Sequence, residues 1–200
     1  MRLINISFSL CLILISGFTL NAQDAATAND RQGVVLFVES MPANQYRHSG
    51  TIECAMFSPD EADPLIDHIL KRAKDEYEEF DALIFRSGKG LCKADVVNFY
   101  KDPKAKRRRG RAGEEPEVDE KYKKARAVPR NGTLVFVYSS PTSEYDLLGK
   151  VETPVTFRSK NVEDLISEVV RTSKEAYPDL DAVVIVDGSG LRKANAIKFK

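Results

Sequence analysis

Two related segments dominate this chain: residues 33–53 read GVVLFVESMPANQYRHSGTIE, and residues 132–152 read GTLVFVYSSPTSEYDLLGKVE. The likeness continues from residues 57–100 to residues 157–200, where the offset changes from 99 to 100, and 21 of the 65 aligned positions are identical. A repeat of this length indicates one folding unit that occurs twice. The sequence therefore predicts two similar domains in tandem.

Each copy begins with the pattern of two strands. An unbroken apolar run, Val34–Val38 in the first copy and residues 133–137 in the second, indicates a strand covered on both faces. The alternation of apolar and polar residues after Gly50 and after Gly149 indicates a second strand. Pro154 interrupts the second of these strands, which predicts an edge position with a bulge.

A helix and a hairpin complete each copy. Helices are predicted at residues 61–77 and 162–177, because apolar residues recur there every three to four positions. Glycine-containing turns predict a hairpin after each helix. Its strands are predicted at residues 82–86, 91–100, 182–186 and 191–199. We therefore expect an α+β fold, a tandem duplication of a β-β-α-β-β module, in which each copy forms a small, mainly antiparallel sheet with one helix packed on it.

The N-terminal segment, residues 1–22, has the pattern of a secretory signal peptide. Arg2 precedes an apolar run from Phe8 to Phe18, and small or polar residues follow it. A helix needs about 20 apolar residues to cross a bilayer, and this run is shorter than that. We therefore expect export to the periplasm or the extracellular space, with cleavage near Gln23 and no membrane span in the mature chain.

Two cysteines, Cys54 and Cys92, follow the predicted signal peptide, and both belong to the first copy. The aligned positions of the second copy carry Thr153 and Arg192, so the two cysteines are present together or absent together. This pattern predicts a disulfide in an oxidising compartment. The other interpretation is two separate buried thiols. No closely spaced cysteines or histidines indicate a zinc site, so we expect neither a metal nor a cofactor.

The copies, residues 33–101 and 131–200, are separated by a basic segment. Residues 101–130 contain 12 basic and 6 acidic residues and almost no apolar periodicity. This composition predicts a charged, flexible linker at residues 102–130, with a short helix at residues 118–127.

An arginine run in this linker is a candidate contact for anionic polymers. Its members are Arg107, Arg108, Arg109 and Arg111. The alternative is a solvated segment that is attracted to the acidic copies on either side. The run lacks the aromatic residues on which bases stack, which disfavours nucleic acid as the partner.

Few polar residues occur in both copies. They are Ser40, Tyr46, Glu53, Lys74, Asp81 and Lys93 in the first copy, and Ser139, Tyr145, Glu152, Lys174, Asp181 and Lys193 in the second. Neither histidine nor cysteine is among them, whereas nucleophilic catalysis requires a base beside the nucleophile. The sequence therefore predicts a protein that is not an enzyme. The alternative is a small-ligand carrier or an enzyme with a cleft between the copies, lined by Tyr46, Tyr145, Glu53 and Glu152.

A short motif in the second copy consists of Pro141, Tyr145, Leu148, Gly149 and Val151, then a helix, then residues 181–184, DAVV. It resembles small bacterial cell-envelope domains of the Rcs stress-sensor lipoprotein and YbjQ-like kinds, and the helix with its hairpin resembles YhcN-like periplasmic stress proteins. This chain lacks the lipid-accepting cysteine and the several disulfide cysteines of the first kind. The resemblance implies a non-catalytic module that binds, senses or interacts in the cell envelope, with an envelope protein or an anionic polymer as its partner.

Overall fold

The computed structural model of the chain describes residues 25–54, 62–85, 91–100, 118–153, 162–186 and 191–200. The predicted signal peptide, the turns of the two predicted C-terminal hairpins and the arginine run at residues 107–111 lie outside these ranges. We call residues 25–100 the first half and residues 118–200 the second half.

The two halves contain the same series of elements. The first half consists of β1 (Ala25–Arg31), β2 (Val34–Val38), β3 (Ser40–Pro42), β4 (Tyr46–Glu53), α1 (Ala62–Glu76), β5 (Ala82–Phe85) and β6 (Lys93–Phe99). The second half consists of β7 (Lys124–Arg130), β8 (Thr133–Phe136), β9 (Ser139–Pro141), β10 (Tyr145–Glu152), α2 (Val162–Ala176), β11 (Ala182–Ile185) and β12 (Lys193–Phe199). A 3₁₀ turn, Glu120–Tyr122, precedes β7.

All of these strands belong to one mixed sheet. The order is β10-β12-β11-β8-β7-β1-β2-β5-β6-β4, and β3 and β9 join it by pairing with β7 and β1. The pairs β2–β5 and β8–β11 are parallel, whereas the hairpins β5–β6 and β11–β12 are antiparallel. The predicted fold, an α+β tandem duplication of a β-β-α-β-β module with a small, mainly antiparallel sheet in each copy, is therefore wrong. In the part of the chain that the structure describes, the halves form a single mixed sheet of 12 strands with two helices.

Strands β1 and β7 join the halves, and neither was predicted. The side chains that they bury are alanines: Ala26, Ala28, Ala125 and Ala127. They lack the β-branched and aromatic residues by which a strand is usually recognised in a sequence. The predicted linker at residues 102–130 is therefore wrong at its C-terminal end, where Lys124–Arg130 forms a central strand. The short helix predicted at residues 118–127 is a 3₁₀ turn followed by the start of this strand.

A pseudo-two-fold axis relates the halves. Ala26 lies opposite Ala125 in the β1–β7 pair, and an isolated bridge places Val38 opposite Val137. In both cases a residue faces its own counterpart in the other half, at an offset of 99. A two-fold axis that passes between the halves requires this register.

The halves exchange short strands at the axis. After β2, Glu39 adopts a φ of 50°, and β3 then pairs with β7 of the second half. After β8, Tyr138 adopts a φ of 49°, and β9 pairs with β1 of the first half. A positive φ is uncommon for residues with a side chain, so its occurrence at equivalent positions marks the kink that redirects each chain segment. Neither half completes its part of the sheet alone.

Both helices pack on one face of the sheet, and a second core lies on the other face. Side chains alternate between faces along a strand, so Leu36 belongs to the helix-side core and Phe37 to the opposite, far-side core. The helices contribute buried residues to the helix-side core, including Ile66, Ile69, Ile166 and Val169. The far-side core contains two edge-to-face aromatic pairs, Phe37 with Phe99 at 6.2 Å and Phe136 with Phe199 at 6.4 Å between ring centroids.

None of the described helices combines the length and the apolar character that a bilayer-crossing helix requires.

Candidate functional site

The predicted disulfide is confirmed. Cys54 and Cys92 are bonded, with 5.1 Å between their Cα atoms, and they join the end of β4 to the start of β6. The backbone N–H of Cys54 also donates to the carbonyl of Cys92 at 2.8 Å, and Thr153 donates to Arg192 at 2.9 Å in the second half. The disulfide is therefore a covalent addition to a pairing that both halves share, and it fits a protein folded in an oxidising compartment.

The repeated glutamates form cross-strand ion pairs. Glu53 lies opposite Lys93 and bonds to it, and Glu152 lies opposite Lys193 with 3.6 Å between the charged atoms. All four side chains are more than one-third exposed, so solvent screens these pairs. These four repeated residues therefore form cross-strand ion pairs, between β4 and β6 in the first half and between β10 and β12 in the second.

The four residues of the predicted cleft lie on two different strands. Tyr46 and Glu53 belong to β4, and Tyr145 and Glu152 belong to β10. These strands are the two ends of the strand order, so strand pairing does not bring the two sets together.

The repeated aspartates hold the ends of the C-terminal strands. Asp81 Oδ2 accepts a hydrogen bond from the backbone N–H of Phe99 at 2.9 Å, and Asp181 Oδ2 accepts one from Phe199 at the same distance. Each carboxylate therefore fixes the residue that carries a far-side aromatic ring.

The repeated lysines tie each helix to a turn. Lys74 near the end of α1 donates to the side chain of Gln32 at 2.9 Å, and Lys174 of α2 donates to the carbonyl of Asn131 at 2.6 Å. Both acceptors occupy the tight turn that connects the first two strands of their half. These lysines stabilise the position of the helix on the sheet.

Two glycines lie under tyrosine rings. A Cβ atom on Gly50 would lie 1.8 Å from the hydroxyl oxygen of Tyr77, and one on Gly149 would lie 1.9 Å from that of Tyr177. The strand register shifts beside both glycines, which marks a bulge in each edge strand. The glycines are therefore required for close packing of the helix end on the bulge.

Two arginines occupy equivalent positions at the ends of β1 and β7 and reach the first turns of the helices. Arg31 bonds to Asp63 at 2.6 Å and to Asp67 at 2.8 Å. Arg130 bonds to Glu163 at 2.7 Å. Burial lowers the pKa of the Arg31 guanidinium, but its hydrogen bonds to the two aspartates outweigh this effect, and the pKa is raised above its ordinary value.

Arg130 also bonds to Glu39 of the first half at 2.7 Å, and this ion pair joins the halves. The Glu39 side chain is 6% exposed and that of Arg130 is 16% exposed, so the pair lies almost entirely away from solvent. Burial lowers the pKa of Arg130, yet hydrogen bonds to Glu163 and Glu39 raise it overall. Loss of either partner is therefore expected to destabilise the fold, because it would leave the other charge buried without this partner.

The halves differ in chemistry on the far side of the edge strands. In the first half, the Thr51 hydroxyl donates to Asp95 Oδ1 at 3.0 Å, and His48 Nε2 lies 3.3 Å from the hydroxyl oxygen and 3.5 Å from Asp95 Oδ1. A Ser-His-Asp-type relay uses different ring nitrogens for the hydroxyl and the carboxylate. Here the same nitrogen faces both groups, so the arrangement is not such a relay.

Among the described residues, no three histidine, cysteine, aspartate or glutamate side chains are grouped so that they could hold a metal ion.

A shallow, polar cavity of about 250 Å³ lies where β1 meets the segment before β7, lined by Thr27, Ala28, Asn29, Asp30, Glu120 and Lys123. Lys123 Nζ lies 2.7 Å from Asp30 and 2.9 Å from Glu120. Hydrogen bonds to these two carboxylates raise the pKa of Lys123 above its ordinary value. The three charged side chains of this cavity are therefore engaged with one another.

Strand β10 of the second half exposes two large apolar side chains on the far side. Tyr145 is 42% exposed and Leu147 is 54% exposed. Register places Tyr145 opposite Phe199 and Leu147 opposite Ile197, which belong to the far-side core. We call Tyr145 and Leu147, together with Phe199 beside them, the open aromatic surface, in which Phe199 itself is only 9% exposed. Sequence reasoning did not find Leu147, because the bulge after it breaks the alternation that assigns residues to faces.

In the first half, Phe99 is covered by an aromatic ring, whereas His48, the equivalent of Leu147, is 51% exposed. The ring of Tyr122 stacks on Phe99, with 5.0 Å between centroids and 14° between planes. The 3₁₀ turn that carries Tyr122 begins with Asp119, whose Oδ1 accepts the backbone N–H of Lys121 at 3.1 Å. Tyr46, which lies opposite Phe99, is partly exposed.

Comparison with family models, with curated proteins and with solved structures found no significant match to this chain.

Proposed function

We propose that this chain is an exported, non-catalytic interaction protein that binds a partner polypeptide at the open aromatic surface of its second half. The observation that carries this proposal is the exposure of Tyr145 and Leu147 on an edge strand, beside a buried aromatic core. Large apolar side chains that share one face at an edge favour protein–protein contact.

The roles of the repeated polar residues support a binding function over catalysis. Glutamates, aspartates and lysines that occur in both halves are engaged in ion pairs, strand ends and helix anchoring. Their repetition is explained by the fold, which the halves share. The surface on which the halves differ is the better candidate for a function specific to one of them.

The disulfide supports a location outside the reducing cytoplasm. The resemblance to bacterial envelope domains favours the periplasm or the outer surface of the cell, with an envelope protein as the partner. The arginine run at residues 107–111, as a contact for an anionic polymer, remains a prediction from sequence.

Site-specific crosslinking tests the proposed function. A photoreactive phenylalanine analogue is placed at Leu147, and the matched control carries it at His48, the equivalent position of the first half. We expect irradiation of the producing cells to link the Leu147 variant to another polypeptide and to leave the His48 variant unlinked. Equal labelling at both positions, or no polypeptide at either, would contradict the proposal.

A further inference from the structure

The cover over the first half has no aromatic counterpart in the second. Tyr122 precedes β7 by two residues, and at the offset of 99 its counterpart before β1 is Gln23. Residues 19–24 read TLNAQD and contain no aromatic residue. The chain itself therefore cannot supply, from this segment, a ring for Phe199 like the one that Tyr122 supplies for Phe99.

The first residues of β1 and β7 make equivalent backbone contacts with the opposite halves. The N–H of Ala43 donates to the carbonyl of Lys124 at 2.9 Å, and the N–H of Thr142 donates to the carbonyl of Ala25 at 3.1 Å. These bonds are equivalent by the pseudo-symmetry, so the start of β1 contacts the second half as the start of β7 contacts the first half. The first half thus provides a template, within the same molecule, for what the open surface accepts.

The charge on the far side has also changed between the halves. The first half carries Thr51 opposite Asp95, and the second half carries Lys150 opposite Asn195. The formal charge of this pair of positions is therefore −1 in the first half and +1 in the second. Lys150 is exposed and has no ion pair among the residues that the structure describes.

We propose that the open aromatic surface binds a partner polypeptide segment that inserts an aromatic side chain beside Phe199 and Tyr145 and presents carboxylates to Lys150. The segment that covers the first half contains both kinds of group, because Asp119 and Glu120 precede Tyr122. In the first half these carboxylates pair with Lys121 and Lys123 of the same segment, and the position equivalent to Lys150 is Thr51. Stacking provides the apolar contact, and the lysine selects for an acidic neighbour. This inference rests on the proposed function and names the chemistry of the partner.

A synthetic peptide with the sequence of residues 118–123, VDEKYK, is the probe. It is titrated into the purified, isotopically labelled protein, and backbone amide shifts are followed by NMR. We expect saturable shifts at Tyr145, Leu147 and Phe199. Replacement of the tyrosine of the peptide by alanine should weaken binding about tenfold, which corresponds to about 1.4 kcal/mol. Higher salt should also weaken binding, because the carboxylate contact is screened.

Two variants that import first-half residues localise the site. Leu147→His and Lys150→Thr should each weaken peptide binding severalfold and leave the remainder of the amide spectrum unchanged. The matched controls His48→Leu and Thr51→Lys should leave peptide affinity unchanged, because Tyr122 already occupies the face of Phe99 on which the tyrosine of the peptide would stack. Equal effects of the two sets of variants would overturn the site assignment.

Other outcomes separate this inference from the proposed function. If the peptide binds no better than its alanine version, while the photoreactive Leu147 variant still captures a polypeptide, the aromatic and acidic chemistry is wrong and the interaction function stands. If neither the peptide nor any polypeptide binds this surface, the proposed function and the inferred chemistry of the partner are both wrong. If the purified protein forms dimers that Leu147→His disrupts, a second copy is the occupant, and the inference is overturned.

Discussion

Removal of the disulfide gives the most quantitative prediction. The variant Cys54→Thr with Cys92→Arg copies the residues of the second half, where Thr153 keeps the same backbone hydrogen bond to Arg192. The native bond closes a loop with a sequence separation of 38. On the chain-entropy relation, a loop of this length stabilises the folded state by about 4 kcal/mol. We therefore expect the variant to lose about 4 kcal/mol of unfolding free energy.

The assay is equilibrium unfolding in urea, followed by circular dichroism, for the oxidised native protein and for the variant. The reverse exchange, Thr153→Cys with Arg192→Cys, is the matched control, and a bond formed there should raise the free energy of unfolding by a similar amount. A loss below about 1 kcal/mol in the first variant would refute the argument that the bond acts by restricting the unfolded chain.

Three further substitutions test the packing. Ser173→Ala should raise the unfolding free energy by about 1 kcal/mol in thermal or urea unfolding, because the Ser173 hydroxyl is fully buried with no hydrogen-bond partner among the described residues; a loss would show that the hydroxyl is satisfied. Gly149→Ala should cost about 1–3 kcal/mol, because the new methyl group displaces the Tyr177 ring, and an unchanged midpoint would contradict that contact. Glu39→Ala should cost about 3 kcal/mol by leaving Arg130 without its cross-half partner, whereas replacement of both residues by leucine and methionine should cost less.

The helices and the final hairpins were predictable because their signals are local and strong. The helical period predicted residues 61–77 and 162–177, and the helices lie at Ala62–Glu76 and Val162–Ala176. The alternation after the turns likewise located β6 and β12, which contain Lys93–Phe99 and its counterpart.

The central strands were not predictable in the same way. β1 and β7 bury only alanines, and Pro129 lies within β7, so propensity argues against a strand there. One signal was present: Asn131 and Gly132 form a turn with positive φ at both residues, as Gln32 and Gly33 do. Such turns connect paired strands, so they imply a strand on both sides.

The candidate surface depends on contacts between distant parts of the chain. In the sequence, Tyr122 is an aromatic residue in a charged segment, and nothing nearby indicates that its ring stacks on Phe99 as the structure shows. The exposure of Leu147 follows from a bulge whose position the sequence does not state. Comparison of the two halves shows that they differ in the cover over this face only once Tyr122, in the segment before β7, is known to stack on Phe99.

The strand exchange has a consequence for how such a molecule diversifies. Each half depends on a strand of the other half to complete the sheet, because β3 pairs with β7 and β9 pairs with β1. A substitution that destabilises one of these strands is therefore expected to destabilise both halves. Among the strands that the structure describes, the two end strands, β4 and β10, pair only with strands of their own half. Fusion into one polypeptide thus lets the two ends of a pseudo-symmetric sheet carry different side chains, such as Tyr122 over Phe99 at one end and the exposed Leu147 at the other, which two identical separate chains could not do.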